Sequence, residues 1–326
     1  MTKAVAQHQV YPLQHTIDTP YLVGPVHCYT AELHGELVLF DTGPPTEEAE
    51  RFLQDHIDLK RLKHVIITHC HIDHNGQSLW LEQNSDAAIY LPYRDLLKMR
   101  HHDERIEKIY NLFISLGFQD RDLKKMREAL NRGVIPPSSQ DNYLVAEDDI
   151  PMHLGIEVLN CPGHSQSDLV FCGNGWAVTG DTLLRGIFQT PLLDIDFKDG
   201  GRFKNYQAYC STIVKLATLR GKRILPGHRY TIENINSTIL FYIKKVLYRA
   251  RQLLPFFNRD CSIAEIIDQL FTRLSDPFHI YFKVSEIIFL QDFLEQPDKL
   301  RVSLEQIGLY ASVAEDFAQI TEHDRL

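Results

Sequence analysis

The stretch His64-Val65-Ile66-Ile67-Thr68-His69-Cys70-His71-Ile72-Asp73-His74-Asn75-Gly76 decides the fold. Its first half is short, apolar and rich in β-branched residues, which predicts a buried strand. Its second half sets four metal-ligating side chains, His69, His71, Asp73 and His74, at the exit of that strand, and Asn75-Gly76 turns the chain away. In an extended loop, residues two apart project to one side. His69 and His71 can therefore share one ion, while a turn through Ile72 directs Asp73 and His74 to a neighbouring one. Imidazole and carboxylate are ligands that zinc and non-haem iron accept. Cys70, lying between two ligands, is expected to point away from the metals.

Working outward, the same arrangement recurs three times. His164 follows a Pro-Gly turn in Cys161-Pro162-Gly163-His164-Ser165, directly after the strand-like Glu157 to Asn160. Asp181 stands in Val178-Thr179-Gly180-Asp181-Thr182, and His228 in Ile224-Leu225-Pro226-Gly227-His228. Alone, each reads as an ordinary turn residue. Together with the first segment they place ligand-type side chains at the ends of successive apolar runs, and loops over a rigid scaffold converge on one edge of it.

The other elements follow from periodicity and breakers. Tyr21-Leu22-Val23, Val26 to Leu33 and Leu37 to Phe40 predict an antiparallel meander that ends at Asp41-Thr42-Gly43. Thr46 can cap a helix through His56, Gln77 to Gln83 reads as a helix, and Ala87 to Leu91 as a strand. A charged, helix-rich insertion occupies about residues 93–132. Short apolar runs return from Leu144 to Val178, then a helix at Asn205 to Leu219 and a strand at Lys222 to Leu225. Beyond His228 the spacing is helical, at Ile232 to Phe257, Ser262 to Arg273, Val284 to Leu294 and Val302 to Ile320. Two strand groups separated by helices predict an α/β (α+β) fold built as an αββα sandwich, not an alternating parallel sheet. The expected division is a catalytic domain over residues 1–230 and a helical C-terminal cap over residues 231–326.

Composition excludes several classes of function. The hydrophobic fraction of 44%, aromatic fraction of 10% and charged fraction of 24% belong to a soluble globular chain. No apolar stretch is long enough to span a bilayer, and Met1 to His8 leads into no signal-peptide core, so no membrane partner and a cytoplasmic location are expected. The six cysteines form no Cys-x-x-Cys pair and are expected to be reduced, mostly buried thiols. A net charge of −9, without a long basic run, argues against a nucleic-acid partner.

The run His69-x-His71-x-Asp73-His74, then Gly163-His164-Ser165, Gly180-Asp181-Thr182 and Gly227-His228, is similar in order and context to the metallo-β-lactamase superfamily, over about Tyr21 to Tyr230. The resemblance implies that His69, His71 and His164 hold one metal and that Asp73, His74 and His228 hold a second. Asp181 would bridge them. It also implies that Asp41, in Asp-Thr-Gly, supports the ligand loop. Two divalent ions are implied, zinc ahead of iron or manganese. The presence of Asp181 separates the chain from true β-lactamases of this fold, and Asp73 with His228 separates it from the mononuclear persulfide dioxygenases. Gly227-His228-Arg229-Tyr230-Thr231 resembles the Gly-His-Glu-Tyr-Thr of glyoxalase II, with Arg229 in place of the acid. The long insertion and helical cap look more like the quinolone-signal thioesterase branch.

The chemistry so implied is hydrolysis, a metal-bridging hydroxide attacking a thioester or ester carbonyl of a small acyl substrate while Asp73 orients it. Ser165 and Ser167 read as turn residues. The alternatives are a lactonase, a phosphodiesterase with Arg185 and Arg229 as its phosphate contacts, or a regulatory binding protein that retains the metal site. The insertion and cap either wall the pocket or form a homodimer surface, and His101-His102 reads as a solvated helix face.

Overall fold

The computed structural model describes residues 11–21, 23–132, 142–257, 259, 261–271 and 276–321, with the backbone alone at 121, 122 and 129–132. A six-stranded sheet holds, in spatial order, β1 (Leu13–Ile17), β2 (Val26–Leu33), β3 (Glu36–Phe40), β4 (Leu62–Ile66), β5 (Ala88–Leu91) and β6 (Tyr143–Val145). Its first three strands pair antiparallel and the remainder parallel. A four-stranded sheet holds β7 (Glu157–Asn160), β8 (Leu169–Gly173), β9 (Trp176–Gly180) and β10 (Arg223–Pro226), with β9 and β10 parallel.

Strands β3, β8 and β9 read as near-continuous apolar runs because both their faces are covered. Val38, Phe40 and Ile66 of one sheet meet Phe171, Trp176, Val178 and Leu225 of the other in a single inter-sheet layer. Their neighbours point outward. Leu39, Val65 and Ile67 pack with Ala49 and Leu53 of α1 (Glu47–His56), while Val170, Cys172, Ala177 and Ile224 face the second helical layer. This period-two division is the mixed α/β sandwich expected from the sequence. Thr46 caps α1 by accepting from the Ala49 amide.

Two short helices, α2 (Ile72–Asn75) and α3 (Ser78–Asn84), follow β4. Between β5 and β6 lie α4 (Tyr93–Arg100), α5 (His102–Ser115) and α6 (Asp120–Arg132), and α7 (Ala146–Asp149) follows β6. The chain continues with α8 (Asn205–Ala217), α9 (Ile235–Phe257), α10 (Ile263–Leu270), α11 (Pro277–Glu295), α12 (Pro297–Gln306) and α13 (Ala314–Thr321). One apolar cluster joins α5, α6, α8 and the helices after His228 to the outer face of the four-stranded sheet. Buried side chains occur at seven consecutive positions of α11, Val284 to Leu290, and the buried Glu286 is paired with Arg249 and Lys283, each at 3.1 Å. Among the described residues no helix is long and apolar enough to cross a membrane. None of the six cysteines is bridged.

Three expectations need correction. Tyr21 and Val23 lie in a turn closed by the Gly24 amide on the Tyr21 carbonyl at 3.1 Å, and Leu22 lies outside the described residues. The edge strand is β1 instead, whose inward positions hold His15, bonded to Thr30 Oγ1 at 2.8 Å, and Ile17; a histidine on the inner face hides the apolar alternation. The segment Val302 to Ile320 is broken into α12 and α13 because Gly308 takes a left-handed φ of 75° between them. Helix α10 ends at Leu270, so Phe271 lies beyond it, and Arg273 is outside the described residues.

Charge ties the α4–α5 pair to the loop after β9. Arg94 reaches Asp196 at 2.6 Å and Asp199 at 3.1 Å, Arg105 grips Asp194 at 2.7 and 3.2 Å, and Lys98 lies between Asp95 and Asp194. His101 is exposed but stacks on Phe197, with ring centroids 4.9 Å apart. Buried pairs of this kind hold a geometry because losing one partner strands a charge away from water.

Candidate metal centre

The path of the first ligand loop follows from β4 running out. Ile67 still donates to the Tyr90 carbonyl at 3.0 Å, and the chain then turns into α2, with His71 at its N-cap position. The expected turn through Ile72 is that single helical turn; it carries Asp73 toward His228, while the His74 ring stays 4.3 Å from that of His69, so that His69, His74 and Asp181 also cluster. Asp41, at the exit of β3, buttresses the loop from behind. It sits at φ 57° and 1% exposure, where Oδ1 accepts the Thr68 amide at 2.8 Å and Oδ2 accepts the Thr68 hydroxyl at 2.9 Å and His74 Nδ1 at 2.8 Å. The Thr42 amide and hydroxyl both donate to the His74 carbonyl, at 2.7 and 2.9 Å. A Cβ on Gly76 would come within 2.4 Å of the Pro45 nitrogen, so only glycine lets these two loops touch backbone to backbone.

All seven ligand-type residues meet at this edge. His69 Nε2 lies 2.9 Å and His164 Nε2 3.1 Å from His71 Nδ1, forming one group of three imidazoles. Asp73, His74 and His228 form a second, with His228 Nε2 3.3 Å from Asp73 Oδ2. Asp181 lies between them. Its Oδ1 is 3.4 Å from His74 Nε2 and 3.7 Å from His228 Nε2, and its Oδ2 is 3.9 Å from His164 Nε2.

The outer ring nitrogens have their own partners. His69 Nδ1 is 3.1 Å from the Thr68 hydroxyl, His164 Nδ1 3.1 Å from the Thr190 carbonyl, and His228 Nδ1 2.7 Å from the Pro25 carbonyl. With those protons donated outward, His69, His164 and His228 present Nε2 to the cluster, whereas His71 presents Nδ1. His74 Nε2, His228 Nε2 and Asp181 Oδ1 are buried without a hydrogen bond, although they lie within 3.4–3.7 Å of one another in the pairs above. Such atoms would be costly unless something satisfied them. A cation fits: the edge of a tetrahedron with metal–nitrogen bonds of ~2.1 Å is about 3.4 Å, and the donors are nitrogen and carboxylate oxygen.

The two groups differ in charge. Burial, then the neighbouring histidines, hold His69 well below the ordinary imidazole range and push His71 down to about 3, so both imidazoles are neutral. Burial opposes protonation of His74 too, but the carboxylates of Asp181, Asp41 and Asp73 outweigh it and raise its pKa; Asp181 and Asp73 raise His228 in the same way. Burial would raise the Asp181 carboxyl, yet His74 and His228 hold it below the usual range. In the second group, a cation and protons would compete for the same nitrogens.

Cys70 is half-buried and packs into the layer outside the six-stranded sheet, and burial raises its thiol pKa. Ser165 is a turn residue, its amide and hydroxyl both donating to Asp168. Ser167 does more, since its hydroxyl donates to Asp95 Oδ1 at 2.5 Å. Arg185 and Arg229 are exposed. Sequence reading passed over Asp95, whose only local mark is an acid in the first turn of α4, and Gln189, whose amide donates to the Asp181 and Thr182 carbonyls.

A family model described as the metallo-beta-lactamase superfamily matches residues 21–228. Among curated proteins the chain is similar to "Probable metallo-hydrolase YqjP" of Bacillus subtilis (strain 168), 24% identical over 309 residues that cover 87% of this chain and 92% of that protein. Among solved structures it is similar to a metallo-beta-lactamase family protein from Thermus thermophilus, with a TM-score of 0.70 at 22% identity over 88% of this chain and 94% of that one. A beta-lactamase domain protein from Burkholderia ambifaria gives a TM-score of 0.68 at 17% identity over 87% of this chain and 86% of that one.

Proposed function

Because this chain belongs to the metallo-β-lactamase superfamily, we propose that its seven clustered side chains hold two divalent cations and that it hydrolyses thioesters or esters of small acyl groups. The observation that carries this reading is Asp181, whose two carboxylate oxygens face different groups of ligands. His69, His71 and His164 would hold one ion, Asp73, His74 and His228 the other, and Asp181 would touch both. A divalent pair bound there supplies Lewis acidity, acidifying a water and polarising the substrate carbonyl. The chain's own part is to keep His69 and His71 unprotonated, to hold Asp181 and Asp73 ionised, and to orient the attacking water at the Asp73 carboxylate.

An uncharged acyl carbonyl suits the surroundings better than a phosphodiester. Arg94 is committed to Asp196 and Asp199, and Arg185 and Arg229 stand exposed. The thioester preference rests on the resemblance of Gly227-His228-Arg229-Tyr230-Thr231 to glyoxalase II and on the likeness of the helical insertion to the quinolone-signal thioesterase branch. Metal analysis with a panel of thioesters, lactones and phosphodiesters tests it. About two ions per chain and fastest turnover of a thioester are expected; a single ion, or preferred turnover of a phosphodiester, would sink the proposal.

Gly227 supplies a sharper test of the two-ion geometry. A Cβ there would lie 2.5 Å from His74 Cε1 and 2.7 Å from Asp181 Oδ1. Gly227→Ala is therefore expected to reduce bound metal from about two ions to about one, read by elemental analysis of the reconstituted protein. Unchanged stoichiometry would show that His74 and Asp181 do not share an ion.

A further inference from the structure

We infer that Asp95 is a positioning residue that locks together the two loops supplying the all-histidine group, His69, His71 and His164. The inference rests on the two-cation reading above. Asp95 lies in the first turn of α4 at 1% exposure, and each of its carboxylate oxygens holds a different loop. Oδ2 accepts the Cys70 amide at 2.7 Å, the one peptide N–H between His69 and His71 that belongs to neither ligand. Oδ1 accepts the Ser167 hydroxyl at 2.5 Å, three residues beyond His164.

Those two loops come from different sheets, one after β4 and the other after β7. His71 Nδ1 must stay near 3 Å from both His69 Nε2 and His164 Nε2, so a shift of either loop opens the group. Ligand constellations tolerate displacements of only about 0.5 Å. The second group is supported elsewhere, His74 by Asp41 and His228 by the Pro25 carbonyl. Asp95 thus bears most directly on the all-histidine group, whose two loops it joins.

The carboxylate is kept charged where it stands. Burial would raise its pKa, but Lys98, then Ser167 and the Cys70 amide, hold it below the usual range. Lys98 in turn leans on Asp194, 3.6 Å away, which Arg105 grips, so charges alternate from the ligand loops out to α5. Ionised acceptors make the strongest hydrogen bonds to amide and hydroxyl donors. Asparagine at this position could accept on only one of its two arms.

The experiment is a zinc titration against a competing chelator on the full chain, with His71→Ala assigning which of the two binding constants belongs to the all-histidine group. Asp95→Asn is expected to weaken that constant about 10- to 100-fold and leave the other in place. Since Asp95→Asn strands the buried Lys98, the double variant Asp95→Asn/Lys98→Met is measured beside it, and Ser167→Ala removes one arm with the Asp95–Lys98 pair intact. Selective weakening in the double variant and, to a smaller degree, in Ser167→Ala supports the inference. Recovery of the original constant in the double variant, or equal weakening of both constants, overturns it. A wild-type protein that binds fewer than two ions would instead overturn the two-cation reading, a result visible without any substitution.

Discussion

Asp73→Asn is expected to lower kcat about 10²- to 10⁴-fold while the fold and the all-histidine group survive. The substitution keeps the side chain's shape and removes its charge. Asp73 is buried, its Oδ2 lies 3.3 Å from His228 Nε2, and although burial would raise its pKa, His74 and His228 hold it in the ionised form. A neutral amide can neither take a proton from the attacking water nor neutralise a cation beside His74 and His228. The measurement is steady-state turnover of the best thioester in the panel, with circular dichroism and metal content as controls. Retention of kcat in a correctly folded variant would exclude hydrolysis as the work of this site and favour a regulatory binding protein.

Asp41→Ala is expected to destabilise the metal-free protein by about 3–5 kcal/mol. One carboxylate accepts three hydrogen bonds, from the Thr68 amide, the Thr68 hydroxyl and His74 Nδ1, at 2.8–2.9 Å and 1% exposure. Alanine leaves the amide and the imidazole without an acceptor in a dry environment, and each stranded donor costs about 1–3 kcal/mol. Alanine also tolerates the φ of 57° poorly, whereas asparagine adopts that conformation readily. Asp41→Asn should therefore fall between the two, since it keeps the backbone but offers a donor where one acceptor stood. Urea unfolding in the presence of a chelator reads the difference. A loss below about 1 kcal/mol for Asp41→Ala, less than one stranded donor costs, would mean that the Thr68 and His74 contacts contribute little.

The two substitutions separate roles that the sequence places side by side. Asp41 and Asp73 both lie next to turns at the exits of strands, and nothing local distinguishes a support from a ligand. In the structure the two differ in place: Asp41 meets the outer nitrogen of His74, Nδ1, whereas Asp73 meets the inner nitrogen of His228, Nε2, as the proposed roles require. The same logic explains why Asp95 carries no distinguishing mark in the sequence. An acid in the first turn of a helix is an ordinary dipole partner, and only the docking of α4 against the loops of Cys70 and Ser167 makes it a link between them.

Chemistry and local geometry that act at short range are legible along the chain. His69, His71, Asp73 and His74 stand together in the chain, the Pro-Gly and Gly-Asp turns mark His164, Asp181 and His228, and strands buried on both faces appear as unbroken apolar runs such as His64 to Ile67. How these pieces share a space was set by packing. It put β1 at the sheet edge and left Tyr21 and Val23 in a turn, since His15 finds its partner in Thr30 across the strand pair. It merged the helices after His228 with the outer face of the four-stranded sheet, and it turned the Asp181 carboxylate to face both ligand groups. Contacts between residues far apart in the chain depend on which faces meet after packing, and no periodicity along the chain records that choice.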